Sequence, residues 1–178
     1  MWDRLRTPVG SDHDRYHNQT FTCVNVVDGD TLDIGVPDAD RITTRIRLWG
    51  VDTPESEVSP RGAMHFGAEA SAFTKSQVLF QPVRVVLAPD RARDKYDRLL
   101  AYVYYRGNGR DERMLNEELI AGGYGYADSR FDHVWKQRFR DLEAAARKDQ
   151  LGLWKDVTPA RMPEWRQRYE EWRSEGAN

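Results

Sequence analysis

One cysteine, Cys23, stands among the 178 residues, so no internal disulfide staples this chain and its own core must hold the fold. Cys23 sits in an apolar, strand-like run, TFTCVNVV, where it reads as a small buried hydrophobe rather than a reactive thiol. A lone cysteine also leaves the redox compartment unspecified. No apolar run approaches the roughly 20 residues of a membrane-spanning helix. The opening stretch, MWDRLRTPVGSDHDRYHNQ, lacks an apolar h-region, so no signal peptide is visible and the compartment stays open. Excess positive charge is missing too. Lys and Arg number 27 against 29 Asp and Glu, for a net charge of -2, and the isoelectric point is about 6.1. That balance excludes a dedicated coater of duplex nucleic acid, so any nucleic-acid contact has to use a local basic patch. There is no internal repeat and no low-complexity segment.

What is there fits a soluble globular protein. Apolar residues make up 39% and charged residues 31%, and a mean hydropathy of -0.79 implies a very polar surface. The length suits one domain with appendages. Residues 1–19 read as a flexible polar tail. His13 and His17 are spaced for a helical chelate, but Pro8 and Gly10 argue against a helix there. Residues 20–156 read as the domain. TFTCVNVV and TLDIGV flank Asp28-Gly29, the strongest short hairpin signal. In RITTRIRLWGV, Ile42, Thr44, Ile46 and Leu48 alternate with Thr43, Arg45 and Arg47, the period of a strand. FGAEASAFTKSQVLF reads as a helix, VRVVLAP and LLAYVYY as two further strands, and DRARDKYDR between them as a charged loop. MLNEELIAGGY reads as a short helix stopped at Gly122-Gly123. HVWKQRFRDLEAAARKDQLG reads as a longer one, with Val134, Phe139, Leu142 and Ala146 on its inner stripe. Residues 157–178 form a helical extension whose Trp165, Tyr169 and Trp172 share a face suited to packing on the domain. The expected fold class is α+β. A five-stranded OB-fold β-barrel with three α-helices, plus the C-terminal helical extension, is one fit to this order.

The acids carry the chemistry. Asp28 and Asp30 flank a turn glycine, where a carboxylate is often only a turn residue. Asp52 ends the third strand before Thr53-Pro54, and Glu55 follows. A hard cation takes oxygen ligands from carboxylates and carbonyls, and Pro54 stiffens the loop that would present them. Arg47 lies on the same strand as Asp52, and Arg98 closes the charged loop. Guanidinium groups match the charge that builds on oxygen during attack at phosphorus. Each piece alone is weak, since strand arginines are usually solvated or paired. The signal is their joint order.

The blocks VVDGDTLDI, RIRLWGVDTPE, FGAEASAFTK, DKYDRLLAYVYY, LNEELIAGGYG and LGLW, in that order over about Thr20 to Trp154, resemble the staphylococcal nuclease (thermonuclease) family. The resemblance implies an OB-fold barrel with three helices and a Ca²⁺-dependent phosphodiesterase. Its substrate would be single-stranded or frayed DNA and RNA, cut to leave 3′-phosphate ends. Carried over residue by residue, it implies Ca²⁺ ligation by Asp30, Asp52 and the Thr53 carbonyl. It implies catalysis by Arg47 and Arg98, with Glu55 positioning and deprotonating the attacking water. Lys95 and Tyr96 would bind substrate. Asp28 becomes a turn or supporting acid. The family's nucleotide-packing tyrosines fall on Ser129 and Phe131, with Tyr124 and Tyr126 nearby as substitutes. Asp97 stands where the family has glycine. A monomer without membrane association is expected. Relatives are often secreted. Two rival classes are weighed against this. Non-catalytic modules of the same fold typically lose some of these acids and arginines, all retained here. A generic OB-fold binder needs only aromatic platforms and basic residues and leaves the carboxylates without a purpose.

Overall fold

The computed structural model describes residues 11–56, 62–107, 109 and 111–175. In chain order the elements are α1 (Asp12–Tyr16), β1 (Gln19–Asp28), β2 (Thr31–Ile34), β3 (Thr44–Leu48), β4 (Val51–Asp52), α2 (Gly67–Val78), β5 (Pro82–Leu87), β6 (Leu99–Tyr105), β7 (Arg113–Met114), α3 (Leu115–Ala121), β8 (Tyr126–Ala127), α4 (Lys136–Lys148) and α5 (Glu164–Glu175), with two 3-10 turns between α4 and α5. Five strands close a mixed barrel. β1 pairs antiparallel with β2 and β5, β2 with β3, and β5 with β6, while β3 and β6 run parallel and shut the ring. This is the expected α+β barrel. The expected three helices are α2, α3 and α4, α5 is the helix of the expected C-terminal extension, and α1 is additional.

Strand alternation explains the core. Along β3, Thr44, Ile46 and Leu48 point inward and are buried, while Arg45 and Arg47 lie on the opposite face. Burying each large apolar side chain of this kind is worth about 1.5–3 kcal/mol. Cys23 is buried among them, as its surroundings in the sequence suggest. Ile42 is not part of this pattern. It precedes β3, beyond a short bridge between Asp38 and Arg41, and is 86% exposed, because the pleat that would have turned it inward has not yet begun. Val134 likewise lies before the start of α4 and is exposed; Phe139 and Ala146 form the buried face with Glu143. The predicted stop after α3 is present. Gly122 caps the helix and Gly123 adopts a positive φ of 72°, a conformation that costs a residue with a Cβ about 1–2 kcal/mol.

One end departs from expectation and the other follows it. Within the stretch read as a polar tail, Asp12–Tyr16 is a helix. Ser11 and Asp14 form a reciprocal capping box, the signal that outweighs Pro8 and Gly10. Tyr16 is fully buried, and Arg93 bridges Asp12 and Asp38, binding the segment to the barrel. Residues 1–10 of that tail lie outside the described residues. At the other end, α5 folds back on the domain. Arg166, 1% exposed, donates to both oxygens of buried Glu143 in α4. Arg147 pairs with Glu170, and Met162 joins Tyr126, Leu153 and Trp154 in a second small core. The Trp172 side chain lies outside the described residues. No helix among the described residues is long and apolar enough to cross a membrane.

Candidate active site

The hairpin sits one residue later than Asp28-Gly29 suggests. Asp28 pairs with Thr31, so the two loop residues are Gly29 and Asp30. That shift places Asp30 at the tip. Three contacts hold it. Its carbonyl accepts from the Leu48 N–H of β3 at 2.9 Å. Its Oδ2 accepts from the Thr53 N–H at 2.7 Å, and its Oδ1 from the Thr31 hydroxyl at 3.1 Å. From α2, the Thr74 hydroxyl donates to the Gly29 carbonyl at 2.6 Å and clamps the turn from outside. The DGDT turn and the Asp52-Thr53 strand end are therefore bonded to each other.

Arg47 lies between the two acids. One terminal nitrogen pairs with Asp30 and the other with Asp52 at 2.5 Å. One guanidinium spans both, so the two carboxylates converge. Burial works against charge on Arg47, but Asp30 and Asp52 outweigh it and raise its pKa. Burial pushes the Asp52 carboxyl above the usual carboxylate range despite Arg47, with Asp30 adding to the push. Asp28 is pushed up to about 6 by burial and by the neighbouring charge of Asp30, with Glu55 contributing. Its carboxylate is occupied by the N–H groups of Gly29 and Ser56, which suits a supporting acid. Negative charge is thus crowded at this point of the barrel.

Arg98 is placed differently. Asp94 accepts from the backbone N–H groups of Tyr96 and Arg98 and from Arg98 Nε at 2.7 Å. The Arg98 guanidinium also lies 5.3 Å from the Tyr96 ring centroid, and Lys95 Nζ lies 4.9 Å from the same ring. Asp97 has φ +64°. Glycine is the usual occupant of such a position, and aspartate is one of the few alternatives that tolerate it. Arg98 therefore does not touch the Asp30–Arg47–Asp52 cluster directly, yet both belong to one cleft. That cleft, of about 1020 Å³, is lined by all eight residues singled out in the sequence: Asp30, Arg47, Asp52, Thr53, Glu55, Lys95, Tyr96 and Arg98.

Other residues around Asp52 carried no clear signal in the sequence. Arg130 pairs with Asp128 at 2.7 Å and with Asp52 at 3.3 Å. Trp165 of α5 donates its indole N–H to Asp52. The apolar stripe containing Trp165 foretold packing, not an acid as its partner.

The sequence pattern described as "Staphylococcal nuclease homologue" matches residues 45–156, which is more than half the chain. The chain belongs to the staphylococcal nuclease family of nucleases. Among its curated relatives, the thermonuclease of Staphylococcus hyicus is 32% identical over 139 residues, covering 78% of this chain and 77% of that protein. The thermonuclease of Staphylococcus intermedius is 33% identical over 137 residues, 76% of each chain. Endonuclease YncB of Bacillus subtilis is 29% identical over 155 residues, 86% of this chain and 71% of that one.

Within this family member, neither tyrosine expected to substitute near the nucleotide reaches the cleft. Tyr126 is buried, edge-on to Trp154, and Tyr124 stacks on Phe73 at 4.3 Å. Both belong to the packing between helices and barrel. Phe131 does line the cleft, 39% exposed, with its ring 4.9 Å from that of Trp49.

The donor set bears on a metal. Asp30, Asp52 and the Thr53 carbonyl are all oxygen donors of the kind Ca²⁺ takes. The Thr53 hydroxyl beside them is buried without a hydrogen-bond partner. Among the described residues no three His, Cys, Asp or Glu side chains converge as a ready cage. The residues fit a hard divalent cation.

Proposed function

We propose that this member of the staphylococcal nuclease family is a calcium-dependent phosphodiesterase acting on DNA and RNA. In this reading it prefers single-stranded or frayed substrate, leaves 3′-phosphate ends and works as a monomer. The observation that carries the reading is Arg47 pairing at once with Asp30 and Asp52 in a cleft that also holds Glu55, Arg98, Lys95 and Tyr96. The family is typically calcium-dependent. Asp30, Asp52 and the Thr53 carbonyl would hold the ion. When bound, calcium supplies Lewis-acid polarisation of a phosphoryl oxygen.

The protein's own groups do the rest. Glu55 orients a water and takes its proton as it attacks phosphorus. Arg47 and Arg98 donate to the phosphoryl oxygens as negative charge builds, a role worth several kcal/mol at a desolvated site. In this step the Arg98 guanidinium turns from Asp94 toward the phosphate. The bond from phosphorus to the 5′ oxygen breaks, and that oxygen leaves as the alcohol by taking a proton from solvent water, giving a 3′-phosphate. Tyr96, 59% exposed, and Phe131 offer ring faces to unstacked bases, a contact open to single strands and closed to a fully paired duplex. Lys95 supplies charge for the backbone phosphate.

The experiment is digestion of heat-denatured DNA and of RNA with Ca²⁺ or with chelator, followed by end-group analysis. Activity with Ca²⁺ only, and 3′-phosphate products, are expected. Equal activity in chelator overturns the metal requirement, and 5′-phosphate products overturn the assigned leaving group.

A further inference from the structure

The family pattern ends at residue 156, yet α5, which begins at Glu164, reaches back to Asp52, a residue that lines the cleft. The Trp165 indole Nε1–H donates to Asp52 Oδ2 at 2.7 Å, across 113 positions of sequence. The indole nitrogen is a donor only, and a hydrogen bond to a carboxylate is stronger than a neutral one. Asp52 Oδ1 is taken from the other side by Arg47 at 2.5 Å and Arg130 at 3.3 Å. Each carboxylate oxygen has two acceptor directions, so Oδ2 can hold the indole N–H and still face a cation.

The tryptophan is itself held. Its ring lies 4.4 Å from the Arg130 guanidinium and edge-on to Tyr126 at 6.4 Å. Tyr126 is the residue paired with Asp52 in the β4–β8 ladder. The next residue in α5, Arg166, is buried against Glu143, and Glu143 also accepts from the Ala127 N–H of β8 at 2.9 Å. The helix is therefore fastened to the short strand pair that carries Asp52.

We infer that Trp165 is a positioning residue for Asp52: the C-terminal extension completes the active site by fixing the orientation of one of its acidic ligands through the indole N–H. The inference rests on the proposed role of Asp52 as a metal ligand. Packing alone would be served by any large ring at this position; the N–H is the part that only Asp52 uses.

Trp165→Phe separates the two roles, because it keeps a ring for Arg130 and Tyr126 and removes the donor. Calcium affinity of the whole chain is read by calorimetry without nucleic acid, alongside kcat on denatured DNA and the melting temperature. Loss of a group that orients a metal ligand typically weakens affinity or activity by about 10–100-fold. A loss of that size in Trp165→Phe with near-normal melting is expected. Trp165→His, which keeps a ring N–H, should recover part of the loss, and this second variant serves if the Phe variant folds poorly. Unchanged affinity and kcat in Trp165→Phe, equal losses in both variants, or tighter binding without the N–H each overturn the inference. If the wild type binds no calcium, the calcium reading fails separately. The same comparison is then made in kcat with whichever divalent ion supports cleavage, a loss in Trp165→Phe supporting the inference and no loss overturning it. A wild type inactive with every divalent ion overturns both.

Discussion

Gly67, the first residue of α2, packs directly on the backbone of Glu55. A methyl group on Gly67 would lie 2.6 Å from the Glu55 carbonyl carbon, in severe overlap with the carbonyl, and 3.1 Å from the Pro54 carbonyl oxygen. The start of a helix and the loop carrying the proposed general base are thus in contact with no room between them. The same helix clamps the Gly29 carbonyl through Thr74, so α2 positions both acidic loops of the cleft.

Gly67→Ala should therefore displace Glu55. A shift of about 1 Å in a reacting group can cost on the order of 100-fold in rate. The expected result is a drop in kcat of about 10–100-fold with Ca²⁺ affinity far less affected. Wild-type kcat in a folded Gly67→Ala protein would show that the base does not depend on this contact.

Arg98→Ala and Arg47→Ala should each lower kcat by about 100–1000-fold, the range for removing one preorganised donor to a developing oxyanion. They should differ in binding. Arg47 pairs with both Asp30 and Asp52, whereas Arg98 is held by Asp94. Arg47→Ala should change calcium affinity and Arg98→Ala should not. Calorimetry on both variants checks the distinction.

Arg166→Ala should destabilise the fold by about 3–5 kcal/mol, since it strands the buried Glu143 carboxylate without its charged partner. Burial already raises the Glu143 pKa in spite of Arg166. Urea unfolding measures the loss, and a variant within about 0.5 kcal/mol of wild type, the range of ordinary surface changes, would refute the anchoring of α5.

The Cys23 thiol, buried and pushed up to about 11 by burial, should stay protonated at pH 8. A thiol reagent should modify it only when the protein is unfolded, because the thiolate is the reactive form. Rapid stoichiometric labelling of native protein would contradict the buried placement.

His133 sits against Tyr102 and Phe139, and burial holds its pKa below 6.5, helped by Lys136. In the folded state it binds its proton less readily than in the unfolded chain. Its contribution to stability is therefore complete above about pH 6.5, the value for the free side chain, and is lost as pH falls through the folded value. A midpoint below 6.5 in an NMR titration of this imidazole is expected; one above 6.5 would refute the half-buried, neutral form.

Much of the barrel was legible because its signals are local. Alternation along β3, turn residues around Asp30 and the paired glycines after α3 each act within a few residues of backbone. So does the capping box of Ser11 and Asp14, although Pro8 and Gly10 pointed the other way. Where the reading slipped, as at Ile42 and Val134, apolar character was present but the element had not yet begun, so periodicity had no pleat or helix to act on.

By itself the sequence determined the five barrel strands and the helices from α2 onward, and the presence together of Asp30, Arg47, Asp52, Glu55 and Arg98. These follow from short-range sterics, hydrogen bonding and apolar spacing. Only the tertiary structure decided that Arg47 spans two acids while Arg98 faces Asp94, that Tyr124 and Tyr126 serve the core, and that Trp165 meets Asp52. Those are choices of partner, set by how whole surfaces fit once the chain has closed on itself, and no window of neighbouring residues contains them.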